Sequence, residues 1–318
     1  MESIIQSSIE KASALLINGE VIAIPTETVY GLAASIDFPQ AINYIFELKG
    51  RPRTNPLIVH VATFEQAEKL CISFPEPLKK LANQFWPGSL TVVIPKSELV
   101  SDQITAGKST VGIRIPNHPE LLKLLEQTGP IAAPSANPFE RISPTTAKHV
   151  ADYFPKGLKM VLDGGACQAG IESTIVGFEN NQVTVYRLGA ISIEAIEKIV
   201  GEVAFFDSEK SHVVTPGMSK KHYAPKTKTI ITENIEDFVS KHSTSKIGII
   251  VFEKSSGTTV SKEVILSPSG SLHEAAQRIY LTLHEFDQLD LDCIVIEPLP
   301  NQGLGRSIND RLSRAVHG

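Results

Sequence analysis

IPTETVYG (Ile24–Gly31), followed by KGRPRTNPLIVH (Lys49–His60), governs the reading of this chain. Val21–Ile24 is an apolar strand, and Pro25 ends it. Thr26, Glu27, Thr28 and Tyr30 therefore fall in a turn at the strand's carboxyl end. Lys49, Arg51 and Arg53 stand directly before a second short strand, Leu57–Val61. Hydroxyls and fixed cations gathered at strand ends suit a polyanion that also carries small polar groups. Each stretch also has a plainer reading. The first can be a Pro-initiated turn facing solvent, the second a basic helix C-terminus where Lys and Arg are favoured anyway.

Outward from these stretches, helical and strand periods alternate. Ile5, Ile9, Ala12 and Leu16 share one helical face that Gly19 stops. Helices are expected at 41–48, 78–85 and 121–127, and strands at 90–94, 111–115 and 131–133. Ser143-Pro144 reads as an N-cap with proline at the first helical position, opening a helix to Tyr153. Strands follow at 160–162, 173–178 and 183–187, then a helix that Ser192 caps. Periodicity lapses over 202–228, which holds VTPGMSKKHYAPKTK, and then resumes. The α/β pattern thus divides into a first unit (1–201), a linker (202–228) and a smaller second unit (229–318).

Composition narrows the class. The 318 residues suffice for one large or two ordinary domains, and 42% apolar with 20% charged residues is a globular profile. A net charge of −5 provides no global basic field for nucleic acid, so strong direct nucleic-acid binding is not expected. No apolar run approaches the about 18 residues of a spanning helix, so no membrane role is expected. Three widely spaced cysteines argue against a disulfide framework and for a reducing, cytoplasmic location.

Further polar residues stand where a ligand can reach them. Arg114 sits on a strand between Ile113 and Ile115, and a partly buried arginine needs an anion, either an internal carboxylate or one on a substrate. His60 ends the second strand, where a satisfied core histidine is the commoner outcome. PSANPFERISPTT (Pro134–Thr146) offers Ser135, Asn137 and Ser143 before a helix. DGG (Asp163–Gly165) and GIESTIV (Gly170–Val176) add another turn and the hydroxyls of Ser173 and Thr174. Gly107-Lys108-Ser109 lacks the earlier glycine of a P-loop, since Asp102 holds that place, and Gly303-Leu304-Gly305 lacks the third glycine of a dinucleotide fingerprint. No zinc, calcium or serine-hydrolase motif is present. A nucleoside triphosphate together with an amino acid matches this set of donors.

Taken together, IPTETVYGLAA, KGRPRTNPLIVHV, FWPGSLTVVI, VGIRIPNHP, PIAAPSANPFERISPTT, DGG, GIESTIV and YRLGA resemble the YrdC-like domain over about Ser8–Val200. PGMSKKHYAP and the second unit resemble the longer, two-domain form of the threonylcarbamoyl-AMP synthase family. The resemblance implies a twisted mixed α/β sheet around a positively lined cavity, followed by a small Rossmann-like α/β domain. It implies synthesis of threonylcarbamoyl-adenylate from L-threonine, bicarbonate or CO2, and ATP, with release of pyrophosphate. A downstream tRNA threonylcarbamoyl transferase complex would then modify ANN-decoding tRNAs.

By motif, Thr28, His60, Arg114, Ala133 and Ser173 would surround L-threonine. Lys49, Arg51, Asn55, Thr110, Ser135, Asn137, Ser143, Arg187 and Tyr223 would hold ATP, and Arg53 receives no role. No side chain is expected to act as nucleophile; Lys49, Arg51 and Arg114 would position the reactants. Mg2+ is expected on the ATP without a protein-only metal site. The linker is expected to act as a lid over the labile adenylate. The alternatives are an RNA-binding module of the same fold without adenylate synthesis, and a regulatory domain that binds nucleotide in the second unit.

Overall fold

The computed structural model describes residues 4–206 and 222–316. Most of the linker on which the expected lid rests, residues 207–221, lies outside the described residues. The first unit's strands are β1 (Ile5–Gln6), β2 (Ile22–Ile24), β3 (Gly31–Ser35), β4 (Ile58–His60), β5 (Leu90–Pro95), β6 (Thr110–Arg114), β7 (Ile131–Ala132), β8 (Val161–Leu162), β9 (Thr174–Glu179), β10 (Gln182–Arg187) and β11 (Ala204–Phe205). Its helices are α1 (Ile9–Ile17), α2 (Pro39–Lys49), α3 (Phe64–Lys69), α4 (Glu76–Phe85), α5 (Asp102–Thr105), α6 (Pro119–Thr128), α7 (Ala147–Tyr153) and α8 (Ile193–Val200). The second unit contains β12 (Thr229–Ile231), α9 (Ile235–Lys241), β13 (Ile247–Val251), β14 (Lys262–Ile265), α10 (Leu272–Phe286), β15 (Cys293–Ile296) and α11 (Leu304–Val316).

The first unit is one mixed sheet of eleven strands in the order β1-β8-β2-β3-β7-β4-β6-β5-β9-β10-β11. Its decisive local feature is the hairpin β2/β3, antiparallel with Ile24 opposite Gly31, so that PTETVY is the connection at its tip. Strands β4 and β6 run parallel with His60 opposite Arg114, which sets those two side chains at neighbouring carboxyl ends. β11 pairs with β10, so the start of the linker extends this sheet. The second unit is a four-stranded parallel sheet, β12-β15-β13-β14.

Local chemistry explains several differences from the sequence expectation. Ile5 is not on the first helix. Ser8 caps that helix by accepting from Lys11 N at 3.2 Å, and Ile5 pairs with Val161 as an edge strand. Ser143-Pro144 is not a cap either. Thr146 takes that place, accepting from His149 N, and the helix begins at Ala147. β3 escaped detection because Gly31, Ala33 and Ala34 carry no β-branched signal. At the start of α11, Gly305 packs against the Pro300 carbonyl, where a Cβ would lie 1.9 Å from the oxygen.

The two units share a core. Val29, Ile142 and Ile171 of the first unit join Ala275, Ala276, Ile279 and Tyr280 of α10 in one buried apolar cluster. Gly170 (φ +73) lets the chains approach closely, since a Cβ there would meet the Ala276 carbonyl oxygen at 2.3 Å. An apolar interface of this kind opposes free relative motion of the two units.

Candidate active site

A cleft opens where the β2/β3 tip, the ends of β4 and β6, and the start of β9 converge. All five residues expected around an amino acid (Thr28, His60, Arg114, Ala133 and Ser173) line it, as do Arg51, Ser135, Arg187 and Tyr223 of the nine expected around a nucleotide.

Arg114 is buried and heavily committed. Its Nε donates to the Gly88 carbonyl at 3.0 Å and its Nη1 to Thr28 Oγ1 at 2.9 Å. The internal anion left open by the sequence exists: Glu27 Oε1 lies 2.6 Å from Nη2, and Ser89 donates to the same oxygen. Glu27 Oε2 has no hydrogen-bond partner among the described residues. The tip holds Thr28 in place through Thr26, whose Oγ1 accepts from Thr28 N and Val29 N and donates to the Val29 carbonyl. Burial and the nearby Arg114 push His60 down to about 3, so it is neutral at pH 7, with Nδ1 unpartnered among the described residues. Ser173 Oγ shares a hydrogen bond with Thr91 at 2.8 Å.

Arg187 is tied to Ser173. Its Nε and Nη2 donate to the Ser173 carbonyl at 3.2 and 2.8 Å, and Nη2 reaches Ser173 Oγ at 3.1 Å. These bonds join the two halves of the cleft. Arg51 donates through Nε and Nη2 to the carbonyls of Asn55 and Pro56. Burial brings its guanidinium down to about 10, with Tyr223 opposing and Arg187 adding to the fall. Three arginines crowded into one cleft favour an anionic occupant.

Five expected nucleotide residues are not on this wall. The Lys49 ammonium is buried behind it, donating to the carbonyls of Ser135 at 2.5 Å and Asn137 at 2.6 Å. Burial and Arg51 push it well below the ordinary lysine range. Lys49 therefore shapes the 135–137 loop. Asn137 Nδ2 closes the same loop onto the carbonyls of Pro138 and Arg141. Ser143 donates to Glu172 at 2.6 Å. Asn55 meets Arg51 through its backbone, and Thr110 begins β6, about 13 Å of strand away from Arg114.

Among the ionisable wall residues, the sequence reading missed Glu172 and His222. Each is the immediate neighbour of an expected residue, in GIESTIV and HYAP, and that adjacency was the available signal. A carboxylate in an anion site has the wrong sign until its partners are seen. Tyr280 donates to both its oxygens and Arg311 Nε to one, at 3.1 Å.

A YrdC-like twisted sheet with a polycationic cleft, joined to a small parallel α/β domain, is the class that these observations define. The family described as telomere recombination (Sua5/YciO/YrdC) matches residues 14–189, and the threonylcarbamoyl-AMP synthase C-terminal domain matches residues 191–316. The threonylcarbamoyl-AMP synthase of Pyrococcus abyssi is 38% identical, covering 99% of this chain and 95% of its own. That of Bacillus subtilis is also 38% identical, over 98% and 93%. The crystal structure of P. abyssi Sua5 complexed with L-threonine superposes with a TM-score of 0.92 at 37% identity, over 99% and 98% of the two chains. The chain belongs to the two-domain threonylcarbamoyl-AMP synthases of the Sua5/YciO/YrdC family.

Proposed function

We propose that this chain condenses L-threonine, bicarbonate or CO2, and ATP into threonylcarbamoyl-adenylate and pyrophosphate. The observation that carries the reading is the arrangement of Arg114, in register with His60, beside a second cationic group formed by Arg51 and Arg187. One end suits an amino-acid carboxylate and the other a triphosphate. Arg114 pairs with the threonine carboxylate, and neutral His60 and Ser173 face the threonine side chain and amine. Arg51, Ser135, Arg187 and Tyr223 hold the nucleotide. Lys49, Asn137 and Ser143 support that wall from behind, and Asn55 and Thr110 contact the nucleotide where it extends past the wall.

In the reaction the threonine amine attacks carbon, giving a carbamate; from bicarbonate, one water leaves. A carbamate oxygen then attacks the α-phosphorus, and pyrophosphate departs with its electron pair. The wall residues orient the two reactants and stabilise the developing charge, and no side chain forms a covalent bond. Mg2+ would neutralise the departing pyrophosphate. Among the described residues no cluster of three metal-ligating side chains occurs, and the wall carboxylate Glu172 is already held by Ser143, Tyr280 and Arg311. The phosphates themselves are the fitting donors for that metal. A transferase complex acting on ANN-decoding tRNAs would consume the product.

Pyrophosphate release tests the reading. It should require threonine, ATP and bicarbonate together, and L-serine should support it far less well. ATP turnover that ignores the amino acid would refute it.

A further inference from the structure

Arg311 of the second domain stands immediately behind the cleft. It is 1% exposed and is the largest fully buried side chain among the described residues. It touches two wall residues of the cleft. Its Nε donates to Glu172 Oε2 at 3.1 Å, and its guanidinium carbon lies 5.6 Å from the Tyr223 ring centroid. Tyr280, also of the second domain, completes the arrangement. Its hydroxyl donates to Glu172 Oε1 and Oε2 at 3.3 and 3.2 Å, and its ring stacks on Tyr223 at 5.8 Å. Tyr223 itself has φ +62, a left-handed conformation that a bulky residue keeps only when its surroundings impose it.

Glu172 poses an electrostatic problem. It is a buried carboxylate on the wall of a cleft whose proposed occupant is a polyanion, and unpaired it would repel that occupant at low local dielectric. Within the first domain, Ser143 bonds it with a neutral hydroxyl, and the nearby Arg187 guanidinium also favours its charged form. Its ion-pair partner comes from α11, 139 residues further along the chain.

We propose that Arg311 is a positioning residue of the nucleotide site: by pairing Glu172 and bracing Tyr223 together with Tyr280, it makes the second domain an integral part of the ATP-binding wall. This inference rests on the proposed adenylate-forming reading of the cleft. It gives the second domain a definite task in the first domain's chemistry, neutralising one wall residue and fixing the backbone of another.

The test uses the full chain and titrates a non-hydrolysable ATP analogue calorimetrically, alongside steady-state pyrophosphate release. Arg311→Met should weaken analogue binding about tenfold or more, because it removes the ion-pair partner of a buried carboxylate. The threonine KM should change much less. Adding Glu172→Gln to Arg311→Met should recover most of the lost affinity, since both charges are then gone. A merely structural role for Arg311 predicts no such rescue. Unchanged binding in Arg311→Met, or a double variant as weak as the single one, would overturn the proposal. If Arg311→Met fails to fold, Tyr280→Phe removes only the hydroxyl on Glu172; weaker analogue binding then supports the proposal and unchanged binding overturns it. A wild-type chain that binds the analogue but makes no pyrophosphate would refute the reaction, while the same titrations would still decide the role of Arg311.

Discussion

In the proposed reading, Arg114 is the cleft's contact for the amino-acid carboxylate. Four of its surroundings are fixed: the Gly88 carbonyl, the Thr28 hydroxyl, the Glu27 carboxylate and the backbone register with His60. A guanidinium so constrained recognises a carboxylate by geometry as well as charge. Arg114→Ala should raise the threonine KM by about 30-fold or more, because it removes a charge-assisted bond and also strands Glu27. The ATP KM should hardly move, and steady-state pyrophosphate release with each substrate varied in turn measures both. An unchanged threonine KM would show that the carboxylate binds elsewhere. The expected threonine residues were legible through the resemblance of their motifs to the family, and each stands at a strand end beside a turn or loop. The burial of Lys49 was not legible, because a lysine at a helix C-terminus reads the same whether its ammonium faces a cleft or is held by the carbonyls of Ser135 and Asn137.

At the level of elements, the connection into β9 and helix α10 must come together with almost no gap. Gly170 combines a left-handed backbone with contact distances of 2.3 Å to the Ala276 oxygen and 2.4 Å to the Gln277 Cα for any added Cβ. Gly170→Ala therefore meets two penalties, a backbone one and a steric one, together about 2–3 kcal/mol. Thermal denaturation should show a Tm lower by several degrees, and nucleotide binding should weaken as α10 and its Tyr280 are pushed away from Glu172. A variant with wild-type Tm would mean that the two backbones separate at no cost. Element boundaries followed the same logic in miniature. Strands with β-branched alternation such as β6 were readable, whereas β3 and the pairing of Ile5 with Val161 depended on neighbours distant in sequence.

Across the whole molecule, buried histidines make stability depend on pH. His60 and His149 are each pushed down to about 3 and His284 to about 4, burial being the first cause in every case. His149 of α7 stacks on His284 of α10 at 3.9 Å across the two domains, so the effect includes their junction. The unfolded chain protonates these rings near 6.5, and the folded chain resists until far lower pH. Their stabilisation is thus fully present above about pH 6.5 and is lost as pH falls toward 4, by up to about 1.4 kcal/mol per pH unit for each ring. Urea unfolding at pH 7.5 and pH 5 should show a lower midpoint at the lower pH. A midpoint flat over that interval would contradict neutral burial of these rings.

Sequence by itself determined the α/β alternation, the two units and the polar motifs at strand ends, local properties set by side-chain period, proline and glycine turns and the composition of short stretches. Thr28, His60, Arg114, Ala133 and Ser173, which meet in the cleft, followed from the resemblance of those motifs to the family. Tertiary structure alone decided the eleven-strand order, the diversion of Lys49 behind the wall, and the capture of Glu172 by Ser143, Tyr280 and Arg311. The reason is physical: a charge acquires its role from what it is buried against, and those partners lie up to 139 residues away along the chain.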